Sequence, residues 1–418
     1  MAGFGAAAQQ LKVDIREEGF RLGFSAVGFA PAQLPEAGAR FREWLRAGRH
    51  GSMDWMAKAP ERRSGEEVGG RTRTVVACGL NYYAGGPATA PAGGGVISQY
   101  ARGEDYHRVL TRKLRALARF AEGRAIASGL LQPAPGAPQQ RRVPTLVDHG
   151  PLLEKAYAER AGLGWIGKHS NVIAERGSSW FFLGEILFPV ALPPDDAHPD
   201  RCGSCARCIE ACPTSAIVAP YVVDSRRCIS YLTIELREAI PREFRRAIGD
   251  RIFGCDDCQD VCPWNRFARK ATETALAPRA GGLHTKSLAE LLRLTQEEFL
   301  AATRQSAIRR AGYAGFLRNI AVALGNRGGR RAFRALLGAL DHPEPLVRAH
   351  VAWALAEVDP EGAVKPLTTR LREETDPGVR VEIRDALDAG PPPTPPKRAL
   401  APWAASAGGG PSPDHGEG

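Results

Sequence analysis

Apolar residues recur at three- and four-residue spacing in LKVDIREEGFRLG (11–23) and ARFREWLRAG (39–48), the pattern of helices that bury one face. DYHRVLTRKLRALARFAEG (105–123) and LLEKAYAERAG (152–162) repeat it, the second closed by Gly162. Between these stretches, TVVACGLNYY (74–83) and SSWFFLGEILFPVAL (178–192) are short continuous apolar runs and predict buried strands, while TLVDHG (145–150) predicts a short strand ending in a turn. AGGPATAPAGGG (84–95) and QPAPGAPQQRR (132–142) lack periodicity and read as loops. Such alternation predicts an α/β or α+β domain over residues 1–195. Beyond a cysteine-rich segment at 196–270, Ala323-Leu324, Ala354-Leu355 and Ala386-Leu387 recur at offsets of 31 and 32 residues. Pro345, Val347 and Arg348 are answered by Pro377, Val379 and Arg380, so 284–390 is expected to be an all-α stack of HEAT-like helix pairs. The Pro- and Gly-rich residues 391–418 have the composition of a disordered tail.

A chain of 418 residues has room for two or three domains. It holds no apolar run long enough for a membrane span and no secretory or twin-arginine signal, so no membrane partner and a cytoplasmic location are expected. In that compartment thiols stay reduced, so nine cysteines point to metal or redox work rather than to bridges. The net charge of +10 gains meaning from its distribution: eight arginines and no acidic residue lie between Arg304 and Arg334.

Cys202, Cys205, Cys208 and Cys212-Pro213 form C-x2-C-x2-C-x3-C-P, the run of bacterial ferredoxins, whose fourth cysteine ligates the other of two clusters. Cys255, Cys258 and Cys262-Pro263 supply the partner motif, and Cys228 completes eight ligands. The ferredoxin crossover assigns Cys202, Cys205, Cys208 and Cys262 to one [4Fe–4S] cluster and Cys212, Cys228, Cys255 and Cys258 to the other. Zinc is the competing reading, but three cysteines at two-residue spacing followed by Cys-Pro do not match paired knuckles. Cys78, inside an apolar run, reads as core. GLGWIG (162–167) satisfies G-x-G-x-x-G but follows a helix where a dinucleotide fingerprint follows a strand. Asp148 either caps a turn locally or donates a proton, a role that asks for a carboxyl pKa raised by apolar surroundings. His107 and His169 carry the same pair of readings, structural or catalytic.

The ordered series YARGEDYH (100–107), VDHGPLLEKAYAERAGLGWIGKHS (147–170), SSWFFLGEIL (178–187), eight cysteines and a helical-repeat end closely resembles the epoxyqueuosine reductase family over about residues 10 to 390. The resemblance implies a nitroreductase-like cobalamin domain, a ferredoxin-like two-cluster domain, and removal of the epoxide oxygen of epoxyqueuosine at the wobble position of tRNA. It implies Asp148 as proton donor. By motif position it also implies a cobalamin pocket lined by Arg63, Ser98, Tyr100, Asp148, Gly167, His169, Val172, Leu183, Tyr231, Asp256 and Asp257. Asp105-Tyr106-His107 is followed by Leu110 where a lower-ligand motif has glycine, so no histidine is expected on cobalt. Arg309, Arg310, Arg318, Arg330 and Arg331 are the expected tRNA contacts, since guanidinium groups without nearby carboxylates suit phosphates. Electrons are expected from an unidentified low-potential donor, to a monomer. A reductive dehalogenase-like enzyme and an electron-transfer adaptor without chemistry of its own are the rival readings.

Overall fold

The computed structural model describes residues 4–58, 60–63, 68, 70–133, 143–148 and 150–388. The expected tail, and most of the expected loop at 132–142, lie outside the described residues. The predicted helices occupy Ala6–Arg21, Pro35–Arg46, Tyr106–Ala127 and Glu154–Arg160. The predicted strands occupy Thr74–Asn81, Thr145–Leu146 and Phe181–Phe188, joined by Ala26–Pro31.

Those four strands form one antiparallel sheet in the order Ala26–Pro31, Thr74–Asn81, Phe181–Phe188, Thr145–Leu146. Successive side chains of a strand face opposite ways. Val76, Cys78 and Leu80 therefore join a core with Leu110, Leu114 and Leu117 of helix Tyr106–Ala127. Val75 and Ala77 join a second core with Tyr157 and Ala158 of helix Glu154–Arg160. Cover on both faces explains why 74–80 reads as an unbroken apolar run. Cys78 is fully buried, as expected of a core residue. Gly28 lets the end of helix Glu154–Arg160 lie on the sheet, because a Cβ there would meet the Ala161 carbonyl oxygen at 2.1 Å. Gly162 follows that helix at φ +73°, the left-handed cap the sequence predicts. Trp165–Ile166 is then a strand, so GLGWIG lacks the strand–turn–helix setting of a dinucleotide site.

Two features carry this α+β region into the rest of the chain. Val96–Ile97 pairs in parallel with Arg251–Phe253, and Ser98 N donates to Phe253 O at 2.9 Å. A single apolar cluster also runs from Ile97 through Ile229–Phe253 into the C-terminal helices. There, helices Tyr313–Arg327, Pro345–Val358 and Pro377–Asp388 begin 32 residues apart and pack in series. The recurring arginine has a structural role. Arg348 donates to His342 O and Pro343 O, and Arg380 to Leu371 O and Glu374 O. Each guanidinium thus satisfies carbonyls of the segment leading into its own helix. Among the described residues, no helix is long and apolar enough to cross a membrane.

Candidate functional site

Four of the thiols, Cys202, Cys205, Cys208 and Cys262, line one cavity of about 250 Å³ with Lys168, His169, Trp264 and Arg266. This is the set the crossover assigns to one cluster, gathered from segments more than fifty residues apart. Cys-Pro ends each short helix involved, Arg207–Ala211 and Asp257–Asp260, and the two helices pack together. Lys168 pins the first loop by donating to Gly203 O at 2.6 Å and Cys205 O at 2.9 Å. Cys212, Cys228, Cys255 and Cys258 form the other group. Burial raises the Cys258 thiol well above its ordinary range, and the neighbouring Cys255, Cys228, Cys212 and Cys208 add to the rise. Among the described residues no three His, Cys, Asp or Glu converge closely enough to hold a single ion. Soft sulfurs spread around a space are a donor set for a cluster.

Beside the thiols lies an acid site. Asp105 caps helix Tyr106–Ala127, accepting from His107 N at 3.0 Å, and so fixes where Tyr106 and His107 project. Tyr106 donates its hydroxyl to Asp148 Oδ2 at 2.5 Å, and His107 stands between Asp105 Oδ1 (Nδ1, 2.8 Å) and Asp148 Oδ2 (Nε2, 3.7 Å). Asp148 itself has φ +55°, a left-handed conformation uncommon outside glycine, and its side chain stays 60% accessible in an open recess. Its backbone N–H donates to Glu154, which lies against the fully buried Glu185.

The electrostatics correct one expectation. Burial pushes the Asp148 carboxyl up, but the hydrogen bonds from His107 and Tyr106 outweigh it and hold the pKa below its ordinary value. Protons sit on the neighbours instead. His107 rises to about 9: burial works against the charged ring, and the Asp105 and Asp148 carboxylates prevail. Glu154 rises to about 8, through burial and the Asp148 charge.

Several of the expected cofactor contacts surround this recess. The Arg63 guanidinium lies over the Trp55 ring, 5.1 Å from its centroid, donates to Gly150 O at 3.3 Å, and feels the charges of Glu154 and Asp148. Tyr100 packs edge-on against Tyr106 at 6.0 Å. Ser98 Oγ donates to Asp256 Oδ1 at 2.5 Å and Gln99 N to Asp256 Oδ2 at 2.8 Å, which ties this wall to the loop of Cys255. His169 is buried beside the first thiol cavity, its pKa lowered to about 4 by burial and by Lys155. Gly167 packs on Ile173, Val172 is buried, and Leu183 is half-buried beside it. Two contacts turn elsewhere: Asp257 makes a two-point ion pair with Arg251, and the Tyr231 hydroxyl accepts from Ser52 N at 2.8 Å. Buried nitrogens without partners, Arg63 Nε, Gln99 Nε2 and His169 Nε2, fit a pocket for a large polar cofactor.

The structure removes Arg318 from the expected tRNA contacts. It is fully buried and donates to Leu232 O, Leu236 O and Glu238 O, fastening the C-terminal end of helix Ile229–Ile234 to the repeats. Arg310 is engaged by Glu235 in a two-point pair at 2.9 and 2.7 Å. Arg309, Arg330 and Arg331 are exposed. The sequence pattern assigned no role to Tyr106, Lys155, Glu154 or Glu185, although the first three lie in the motifs GEDYH and LLEK that flank the assigned residues.

Eight thiols in two groups, joined through Ser98 and Asp256 to a recess with a polarised carboxylate, define a two-cluster iron–sulfur oxidoreductase with an acid site. Comparison with known proteins agrees. Residues 201–265 match the 4Fe-4S double cluster binding domain, 62–131 match the family described as epoxyqueuosine reductase QueG, DUF1730, and 303–388 match HEAT repeats. The epoxyqueuosine reductase of Escherichia coli K12 is 42% identical over 356 residues, covering 83% of this chain and 89% of the relative. That of Pseudomonas aeruginosa is 43% identical, covering 83% and 94%. A crystal structure of an epoxyqueuosine reductase with an epoxyqueuosine-modified tRNA-Tyr stem loop superposes with TM-score 0.80 at 27% identity, covering 91% of this chain and 98% of that one. A Bacillus subtilis relative, described with its aspartate-bearing catalytic loop swung out of the active site, gives TM-score 0.78 at 26% identity, covering 91% and 98%. The chain belongs to the epoxyqueuosine reductase family.

Proposed function

We propose that this protein reduces the epoxide of epoxyqueuosine, at the wobble position of tRNA, to the cyclopentene of queuosine. Two electrons and two protons are consumed and the oxygen leaves as water. The observation that carries the reading is the junction of thiols and acid site in one chain, made by the Ser98–Asp256–Gln99 bonds. Cobalamin, when bound, supplies the strong reductant that this deoxygenation needs. Arg63, Ser98, Tyr100, Gly167, His169, Val172 and Leu183 would hold it beside Asp148. Asp256, Asp257 and Tyr231 would hold the cluster loop and the 48–52 turn that frame it.

Asp148 would deliver a proton to the departing oxygen, which otherwise leaves as a costly alkoxide. The carboxylate is poised as a conduit. His107, protonated at neutral pH, holds the proton and Tyr106 orients the acceptor oxygen. The catalytic aspartate loop described as swung out of the active site in the Bacillus subtilis relative supports this role, because Asp148 lies in an open recess in a rare backbone conformation. Arg309, Arg330 and Arg331, with Arg310 if it leaves Glu235, would contact tRNA phosphates. The protein would act as a cytoplasmic monomer in three parts, 1–195, 196–270 and 284–390.

The test is anaerobic turnover of tRNA carrying epoxyqueuosine by protein reconstituted with iron, sulfide and cobalamin, with the digested nucleosides weighed by mass spectrometry. Loss of one oxygen that requires cobalamin is expected. Intact clusters and bound corrin without conversion would overturn the reading.

A further inference from the structure

We infer that the basic strip at the mouth of the first thiol cavity docks an acidic single-electron carrier protein. The inference rests on the reading that Cys202, Cys205, Cys208 and Cys262 hold a cluster. Electron transfer between proteins weakens steeply with distance, so a carrier has to sit where a cluster approaches the surface. Cys202 and Cys205 are partly exposed, and their cavity is rimmed by Arg201 and Arg266, both exposed. Cys212, Cys228, Cys255 and Cys258 are partly exposed as well, but they lie beside the Ser98–Asp256 wall of the acid site.

The chain leaving Cys262 reads PWNRFARK, three basic residues and no acid. Arg266, Phe267, Arg269 and Lys270 are all exposed, and the Arg266 guanidinium lies 4.7 Å from the Phe267 ring centroid. Chain reach keeps the α-carbon of Arg269 within about 11 Å of that of Arg266. The neighbouring acids are occupied: Asp200 by Tyr221 and by Cys202 N, Glu175 by Arg201 and His198, and Glu273 by Lys113. What faces solvent is an apolar ring, 41% exposed, beside Arg266, Arg269 and Lys270, which have no ion-pair partner among the described residues. An aromatic centre with a charged rim is the anatomy of a protein interface steered by opposite charge. The exposed ring packs at 5.5 Å on Trp264, a wall residue of the thiol cavity, and this apolar path to the sulfurs favours a redox protein over RNA phosphate.

The probe is a bacterial flavodoxin, a small acidic carrier, titrated into the anaerobic holoenzyme by calorimetry at several ionic strengths. Affinity that falls as salt rises is expected, and R269E/K270E should weaken it at least tenfold. In stopped flow, the flavodoxin hydroquinone should bleach the clusters correspondingly more slowly in the variant, while photoreduced deazaflavin, a small neutral donor, bleaches both proteins at the same rate. R269Q/K270Q, with unchanged iron content, should fall between the two and guards against a folding effect. Salt-insensitive binding, or equal affinity in variant and wild type, would overturn the inference. So would weakened binding of the tRNA stem loop with carrier binding intact, which would make the strip an RNA surface. Wild-type protein that takes up no iron would sink the cluster reading itself.

Discussion

The thiol groups and the acid site differ in how they are assembled. Seven of the eight ligands lie in two motifs of about ten residues, where short helices and Cys-Pro stops leave few ways to arrange them. The acid site joins the N-terminus of one helix (105–107), a strand end (148), the start of a second helix (154) and mid-strand (185), none adjacent in sequence. The first design makes ligand identity nearly sufficient. The second makes each group's chemistry depend on distant neighbours, so a carboxylate in a protein recess stays ionised because a tyrosine and a histidine some forty residues away reach it.

Removing one ligand from the second thiol group gives the largest effect this comparison predicts. Cys258→Ser should lose iron and abolish turnover, measured by iron analysis and nucleoside mass. Retained iron with full turnover would show the thiols to be dispensable. Next, Glu374 is buried and bonded at 2.7 and 2.8 Å by Arg348, with Arg370 beside it, so its pKa falls to about 2. Glu374→Gln strands a buried arginine and should cost about 3–5 kcal/mol in chemical denaturation. Because the folded-state pKa is depressed, this stabilisation is complete above the ordinary value near 4.5 and is lost as pH falls toward 2.

A smaller effect separates the two designs by pH. His107 must be charged to hold a proton, so turnover limited by chemistry should be sustained below pH about 9 and fall as pH rises through it. His107→Gln should remove that limb while leaving iron content unchanged; an unaltered profile would release His107 from the pathway. The mildest expected change is in RNA affinity. Arg330→Gln with Arg331→Gln should reduce the slope of log affinity against log salt by about 2, read from stem-loop binding at several salt concentrations.

These differences also mark what the amino-acid pattern made legible. The ferredoxin motif with its crossover pointed to the four thiols that line one cavity, because it takes Cys262 in place of Cys212. The recurrence at 31 and 32 residues was equally visible, since each repeat packs the same Ala-Leu pair into the core, with Leu387 at its edge. Arg318 was misread because local charge says nothing of burial, although its run, FLRNIAVAL, is apolar apart from Arg318 and Asn319 and marks a core helix. The low pKa of Asp148 could not be read from VDHG, whose own residues supply neither Tyr106 nor His107.

Electrons and proton, on this reading, arrive through separate parts of one chain. Asp148→Asn holoenzyme tests that separation most directly, with cluster content, cluster reduction and conversion of epoxyqueuosine tRNA followed in the same anaerobic sample. Wild-type iron and normal cluster bleaching are expected, with turnover lowered on the order of 10²–10⁴-fold. Conversion within a few-fold of wild type would contradict it.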